Sequence, residues 1–161
     1  MLYEENIYSR WSMVILGALS LVLLGVLVYQ LLIGPVGTHP APDWVFFVMF
    51  LFFLAFAVTF ARLSIKVTVE SITVGYGVLK HNISWERVED CYLDSASTVR
   101  YGGWGIRLGR VGGKWRLVYN VPGGARVVLS LKRGTFREFV FSTRNPENVT
   151  QAVRGYLGVT V

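Results

Sequence analysis

The chain has 161 residues, of which 53% are hydrophobic and only 16% charged, and its formal net charge is +6. This composition excludes an ordinary small soluble domain, because a chain of this length cannot bury so much apolar surface. Residues 62–161 hold fifteen Lys and Arg against seven Asp and Glu, whereas residues 1–61 hold one Arg and three acids, so we expect an apolar region followed by a basic one.

Two uncharged apolar segments occupy the N-terminal region, at 13–33 and 44–61. As helices they reach about 31 Å and about 27 Å, close to the ~30 Å hydrocarbon core of a bilayer. The glycines and prolines of the link between them do not continue a helix. We therefore predict a transmembrane helical hairpin as the first domain, residues 1–62. A cleaved signal peptide is the alternative for the first segment, but its flank is acidic and its apolar run is too long.

The basic flanks of these spans predict their orientation. Arg10 precedes the first span, Arg62 and Lys66 follow the second, and the loop at 34–43 has no Lys or Arg. Because cytoplasmic flanks are enriched in Lys and Arg, we expect both termini to be cytoplasmic in a cell-membrane protein with two spans.

Small residues within the spans are candidates for close helix packing, inside the hairpin or against another membrane protein. They are Gly17, Gly25, Ala55 and Thr59. Neither span contains a charged residue, which disfavours a transporter or a channel.

From Ser64 onward the sequence changes to short alternating runs that are rich in β-branched residues and predict strands. The glycine-containing links at 112–113, 122–124 and 132–135 have hairpin-turn chemistry. This spacing predicts an antiparallel barrel or sandwich in a second domain, residues 63–161. The predicted strands cover 65–69, 72–74, 76–85, 86–94, 104–110, 115–121, 125–131 and 138–143.

The C-terminal segment at 145–158 predicts an amphipathic helix. Asn145 suits the N-cap, Pro146 the first helical position and Gly158 the C-cap. Apolar residues recur at helical spacing from Val149 to Leu157. One helix therefore ends the β domain.

The stretch YGGWGIRLGRVGGKWRLVYN at 101–120 combines glycine, tryptophan and basic residues. It does not match a phosphate-binding loop, because its glycines lead into further strand sequence rather than a helix. Alternation along this and the next strand predicts an apolar inner row and a basic outer row. Near a membrane such a row suits anionic lipid headgroups or a protein partner, with a merely solvating face as the alternative. The candidate surface residues are Trp104, Arg107, Arg110, Lys114, Arg116, Arg126 and Lys132.

Two motifs, YGGWGIR at 101–107 and STRNPENVTQAV at 142–153, together with this architecture, resemble the bacterial pleckstrin-homology-like (PH-like) domains of small prokaryotic membrane proteins. The resemblance covers roughly residues 63–158, and a preceding hairpin is common in that group. It implies a two-sheet antiparallel barrel of seven strands, capped by the C-terminal helix, and little about activity. The phosphoinositide-binding role of the eukaryotic domains does not carry over, because KVTVESITVGYG at 66–77 contains one lysine and an acidic turn.

The sequence does not predict an enzyme, a cofactor or a metal site. Glu89 and Asp90 are adjacent and would face opposite sides of a strand, and His39 and His81 have no ligand-spaced partner. Cys91 is the single cysteine, so no internal disulfide forms. We predict a non-enzymatic, membrane-anchored binding or scaffold module. Its expected partners are membrane lipids and a protein or second copy, not nucleic acid. The alternative is a structural subunit that docks into a larger membrane complex through the phenylalanine-rich second span.

Overall fold

A computed structural model describes residues 3–95 and 103–158. These residues form nine strands, three α-helices and one 3-10 turn, and the chain divides into two compact units. The hairpin unit comprises residues 9–61, and the β unit comprises the residues before and after it. The elements are β1 (Tyr3–Tyr8), α1 (Arg10–Leu32), α2 (Asp43–Phe60), β2 (Arg62–Val67), β3 (Ser71–Tyr76), β4 (Leu79–Ser84), a 3-10 turn (Trp85–Arg87), β5 (Val88–Leu93), β6 (Gly105–Val111), β7 (Lys114–Asn120), β8 (Ala125–Leu131), β9 (Glu138–Thr143) and α3 (Pro146–Leu157).

Helices α1 and α2 of the hairpin unit coincide closely with the two predicted apolar segments. Both are long and apolar enough to cross a membrane, judged by length and composition. They pack against each other, and α1 buries Ser12, Leu16, Ser20 and Leu27, whereas α2 has no buried residue. The hydroxyl groups of Ser12 and Ser20 donate hydrogen bonds of 2.8 Å to backbone carbonyls, so these buried polar groups are satisfied.

None of the four small residues predicted to let the helices approach closely is buried in the hairpin. Gly25 and Ala55 are exposed, and Gly17 and Thr59 are half-buried. A Cβ added at Gly17 or Gly25 would have no neighbour within 4 Å. The packing of the hairpin therefore does not use these glycines, because a stripe of serine and leucine side chains makes the contact instead.

The first strand was not predicted from the sequence. Residues 3–8, assigned above to the hairpin domain 1–62, form β1 and pair antiparallel with β2 along its full length, ending with Tyr8 opposite Arg62. A single residue separates each of these strands from its helix. The hairpin unit is therefore an insertion between two neighbouring strands of the β unit.

The strands form two sheets. Sheet A has the order β1-β2-β3-β4 and sheet B the order β5-β8-β9-β7-β6. Sheet A is antiparallel throughout, whereas β7 and β9 of sheet B run parallel. The predicted two-sheet arrangement with a C-terminal helix is confirmed. The predicted closed barrel of seven antiparallel strands is wrong: residues 3–95 and 103–158 form two separate sheets of four and five strands that do not close. Strand β9 also lies between β7 and β8, which the predicted turn at 122–124 was expected to pair.

Aromatic side chains fill the space between the two sheets. The rings of Tyr76 and Tyr119 stack at 6.1 Å, and those of His81 and Phe139 at 5.6 Å. The Tyr76 hydroxyl donates a 2.7 Å hydrogen bond to the backbone carbonyl of Asn120, and burial raises the pKa of Tyr76. These contacts fix sheet A against one face of sheet B.

Helix α3 packs against β5 and β8. Val149 and Val153 are fully buried, and Arg154 Nε donates a 3.1 Å hydrogen bond to the backbone carbonyl of Cys91. Pro146 lies at the start of the helix and Gly158 ends it with a φ of 65°, as predicted. The helix therefore covers the strand that carries the single cysteine.

Cys91 is expected to be chemically inert in the folded protein. Its side chain is fully buried, and this burial raises the pKa of the thiol to about 12. Because the thiolate is the reactive form, we expect no reaction with an aromatic disulfide reagent near neutral pH, and complete reaction after unfolding in guanidinium. The absorbance of the aromatic thiolate released by the reagent measures the reaction before and after unfolding. Rapid reaction of the folded chain would contradict the buried position of Cys91.

Candidate basic interaction surface

Three turns bring exposed cations together at one end of sheet B, which we call the basic end. They are the β6–β7 turn, the β8–β9 turn and the 3-10 turn before β5. Trp115, which is 51% exposed, lies among them. The exposed basic residues of the basic end are Arg87, Arg110, Lys114, Lys132, Arg133 and Arg137.

Backbone hydrogen bonds hold the three turns together. The amide of Lys132 donates to the carbonyl of Arg87 at 2.9 Å, and the amide of Arg137 donates to the carbonyl of Trp115 at 3.1 Å. The β6–β7 turn has positive φ angles at both central residues, 112 and 113, which is the type I′ geometry that glycine permits. The cations therefore project from a fixed backbone framework.

Positive charge at the basic end is largely unneutralised. Lys114 Nζ lies 3.4 Å from Glu138 Oε1, and in the part of the chain that the structure describes none of the other five cations forms an ion pair. The guanidinium carbon of Arg110 lies 5.9 Å from the centre of the Trp115 ring, a cation–π arrangement. Burial, and secondly the charge of Arg87, lower the pKa of nearby His81.

The structure divides the predicted surface residues into separate groups. Arg110, Lys114 and Lys132 lie at the basic end, where the structure adds Arg87, Arg133, Arg137 and Trp115. Arg107 is exposed but lies nearer the start of β6, and its Nε donates a 3.3 Å hydrogen bond to the carbonyl of the half-buried Trp104. The three turns are far apart along the chain, so the sequence offered no signal that they meet.

Arg116 and Arg126 are not part of an exposed row, and that prediction is wrong. Arg116 Nη1 and Arg126 Nε donate hydrogen bonds of 3.2 and 3.0 Å to the two carboxylate oxygens of Asp94. Arg116 Nε also donates to the Glu138 carboxylate. These four residues, which we call the buried ion network, have side chains no more than 9% exposed.

The misplacement of the two arginines has a physical cause. Alternation correctly places Arg116 opposite the inner apolar row, but it does not show whether the second face of a sheet is covered. Val118, Val128 and Val140 on that face are also fully buried. A charge reversal at Arg116 would place an acid against Glu138, and would therefore test folding rather than binding.

A second concave feature is an open groove of about 560 Å³ beside α3. It is lined by Leu93, Glu147, Thr150, Gln151 and Arg154, which include one acidic and one basic side chain. Within residues 3–95 and 103–158, no three His, Cys, Asp or Glu side chains are placed to hold a metal ion. The basic end has six exposed cations against one exposed acid, Glu86 of the 3-10 turn, and this excess of positive charge makes it the candidate site.

Comparison with known proteins finds no relative: the chain matches no family model, no curated protein and no solved structure. The candidate site therefore rests on its geometry.

Proposed function

We propose that the protein is a non-enzymatic, membrane-anchored binding module. In this proposal α1 and α2 cross a bilayer with both termini on the cytoplasmic side, and the β unit is a PH-like domain. The two-sheet arrangement with a terminal helix supports the PH-like assignment, whereas the parallel β7–β9 pair departs from its antiparallel pattern. The anchor is supported by α2, which is apolar on all sides yet has no buried residue.

The observation that carries the binding role is the convergence of six exposed cations and Trp115 at the basic end. A cluster of like charges attracts an oppositely charged partner, and an exposed indole ring adds contact area. The ligand class that fits is an anionic macromolecular surface.

The position of the basic end favours an acidic protein over the lipid headgroups of the same bilayer. We call the end of sheet A where β1 ends at Tyr8 and β2 begins at Arg62 the tether end. Strand β4 starts at this end with Leu79, and the 3-10 turn that carries Arg87 follows its far end. A strand of this length extends about 20 Å, more than the ~8 Å over which salt screens exposed charges.

The test uses the full chain in nanodiscs of zwitterionic lipid, with fluorescent poly-glutamate as the acidic probe and a salt series. Lys132→Glu/Arg133→Glu is expected to weaken binding about tenfold, since two exposed cations become repulsive. Arg107→Glu/Arg144→Glu, which makes the same charge change at two exposed positions away from the basic end, is the matched control. Equal losses in both variants, or no loss in the first, would contradict the proposal.

A second arm of the same experiment distinguishes lipid from protein as the partner. Anionic lipid added to the nanodisc should leave probe affinity unchanged if the basic end faces the aqueous phase. A tenfold or greater fall in affinity would mean that the basic end binds headgroups of its own bilayer.

The structural-subunit alternative is favoured by a different observation. Phe47, Phe52 and Phe56 of α2 are 42–50% exposed, and such side chains suit another transmembrane helix as well as lipid. In this alternative the hairpin would co-purify in mild detergent with a stoichiometric membrane protein.

A further inference from the structure

The tether end of sheet A carries three exposed apolar side chains. Tyr8 is 53%, Val78 87% and Leu79 45% exposed. The strand register brings them to the same end of the sheet, because Tyr8 pairs with Arg62, the next residue Leu63 pairs with Tyr76, and Tyr76 pairs with Leu79. At that end Leu79 lies on the face of Tyr76 and Tyr8 on the opposite face. In water these side chains leave apolar surface unburied.

The fold does not account for an apolar residue at the tip of the β3–β4 turn. Gly77 supplies the positive φ of 48° that the turn needs, and Val78 follows it. Tight turns favour Asn, Asp, Ser or Gly at such positions, and a β-branched side chain adds nothing to the turn itself. A Cβ at Gly75 would lie 2.3 Å from the Leu79 carbonyl oxygen and 2.4 Å from Lys80 Cα. Strands β3 and β4 therefore approach so closely next to the turn that only glycine fits at position 75.

Two basic side chains lie among these apolar residues. Arg62 and Lys80 are both exposed at the tether end. Of the acids on the described strands of sheet A, Glu4 pairs with Lys66 at 3.0 Å and Glu5 is buried. Exposed apolar side chains interspersed with cations are complementary to the interface of an anionic bilayer, where apolar groups enter and cations meet phosphate.

We propose that Tyr8, Val78 and Leu79 form a wedge that inserts into the headgroup region of the bilayer that α1 and α2 cross. The inference rests on the membrane anchoring proposed above. Chain continuity identifies the bilayer as the partner of the wedge, since β1 and β2 are each one residue from an apolar helix at this end of the sheet. The wedge adds a third attachment of the β unit to the membrane, beside the two covalent links, and directs the basic end towards the aqueous phase.

The experiment places a polarity-sensitive NBD fluorophore on Val78→Cys in the full chain, reconstituted in vesicles of phosphatidylcholine and phosphatidylglycerol. Val69→Cys is the matched control, because Val69 is 64% exposed in the β2–β3 turn at the opposite end of sheet A. The native Cys91 is buried and does not compete for the label. We expect the label at 78 to emit at a shorter wavelength than the label at 69. Shallow nitroxide lipids should reduce its fluorescence roughly twofold or more and leave the fluorescence of the label at 69 unchanged.

Two outcomes would overturn the wedge, and they are distinguishable. If the two labels behave alike while the protein resists alkaline carbonate extraction, the wedge is wrong and the anchor stands. If carbonate releases the protein from the vesicles, the anchor is wrong and the wedge falls with it.

Discussion

Replacing Asp94 by alanine is expected to lower the free energy of unfolding of the β unit by about 3–5 kcal/mol. The Asp94 side chain is 2% exposed and accepts hydrogen bonds from both Arg116 and Arg126, whose side chains are 9% and 8% exposed. Removing it takes a shared carboxylate from two guanidinium groups that are more than nine-tenths buried. Urea unfolding of the full chain in detergent micelles, followed by tryptophan fluorescence, measures the change.

Glu89→Ala is the matched control for Asp94→Ala. Glu89 is an exposed acid on β5, and its removal should change the free energy of unfolding by no more than about 0.5 kcal/mol. The double variant Asp94→Ala/Arg126→Met should be more stable than Asp94→Ala alone, because it also removes a buried guanidinium group that has lost its Asp94 partner. Equal effects at Asp94 and Glu89 would refute the buried ion network.

The buried ion network also bears on the strand order of sheet B. Asp94 directly follows β5, and Arg126, Glu138 and Arg116 belong to β8, β9 and β7, so the network crosses four neighbouring strands. Its members are far apart in sequence, and the observed strand order brings them together. Glu138 on β9 lies beside Arg116 on the neighbouring β7, and Asp94 accepts hydrogen bonds from Arg126 on β8 and Arg116 on β7.

Local signals in the sequence were sufficient for the elements but not for their pairing. Hydropathy located α1 and α2, and β-branched runs located β8 and β9 at 125–131 and 138–143, the ranges that the structure has. The parallel β7–β9 pair was missed, because a short glycine-containing link indicates a turn without specifying which strands become neighbours. Strand β1 was missed because YEENIY has two adjacent acids, and its pairing partner lies beyond the whole hairpin.

The candidate site was predictable only in part for the same reason. Arg110, Lys114 and Lys132 lie at turn ends, where exposure follows from local structure. Arg116 and Arg126 alternate with apolar residues just as exposed cations would, and only the long-range approach of Asp94 and Glu138 shows that they are structural.

The second substitution with a large expected effect lies in strand β1. Glu5→Ala should lower the free energy of unfolding by about 3 kcal/mol, because it removes several hydrogen bonds to one buried charged group. The Glu5 carboxylate accepts a hydrogen bond from the Thr143 hydroxyl, another of 2.8 Å from the Arg144 amide and another of 2.8 Å from the Tyr3 hydroxyl. The bonds from Thr143 and Arg144 join β1 of sheet A to the end of β9 in sheet B. The same urea titration in micelles measures the loss.

The neighbouring Glu4 supplies the control. Its carboxylate forms a solvent-exposed ion pair with Lys66 at 3.0 Å, and exposed pairs contribute little to stability, so Glu4→Ala should be nearly neutral. A large loss at Glu5 with little at Glu4 means that the chain before the first helix is part of the β unit. Folding of that unit then requires the two ends of the hairpin to come together, since β1 and β2 pair only when α1 and α2 return the chain to the same place. If the two substitutions have equal effects, β1 does not bridge the sheets.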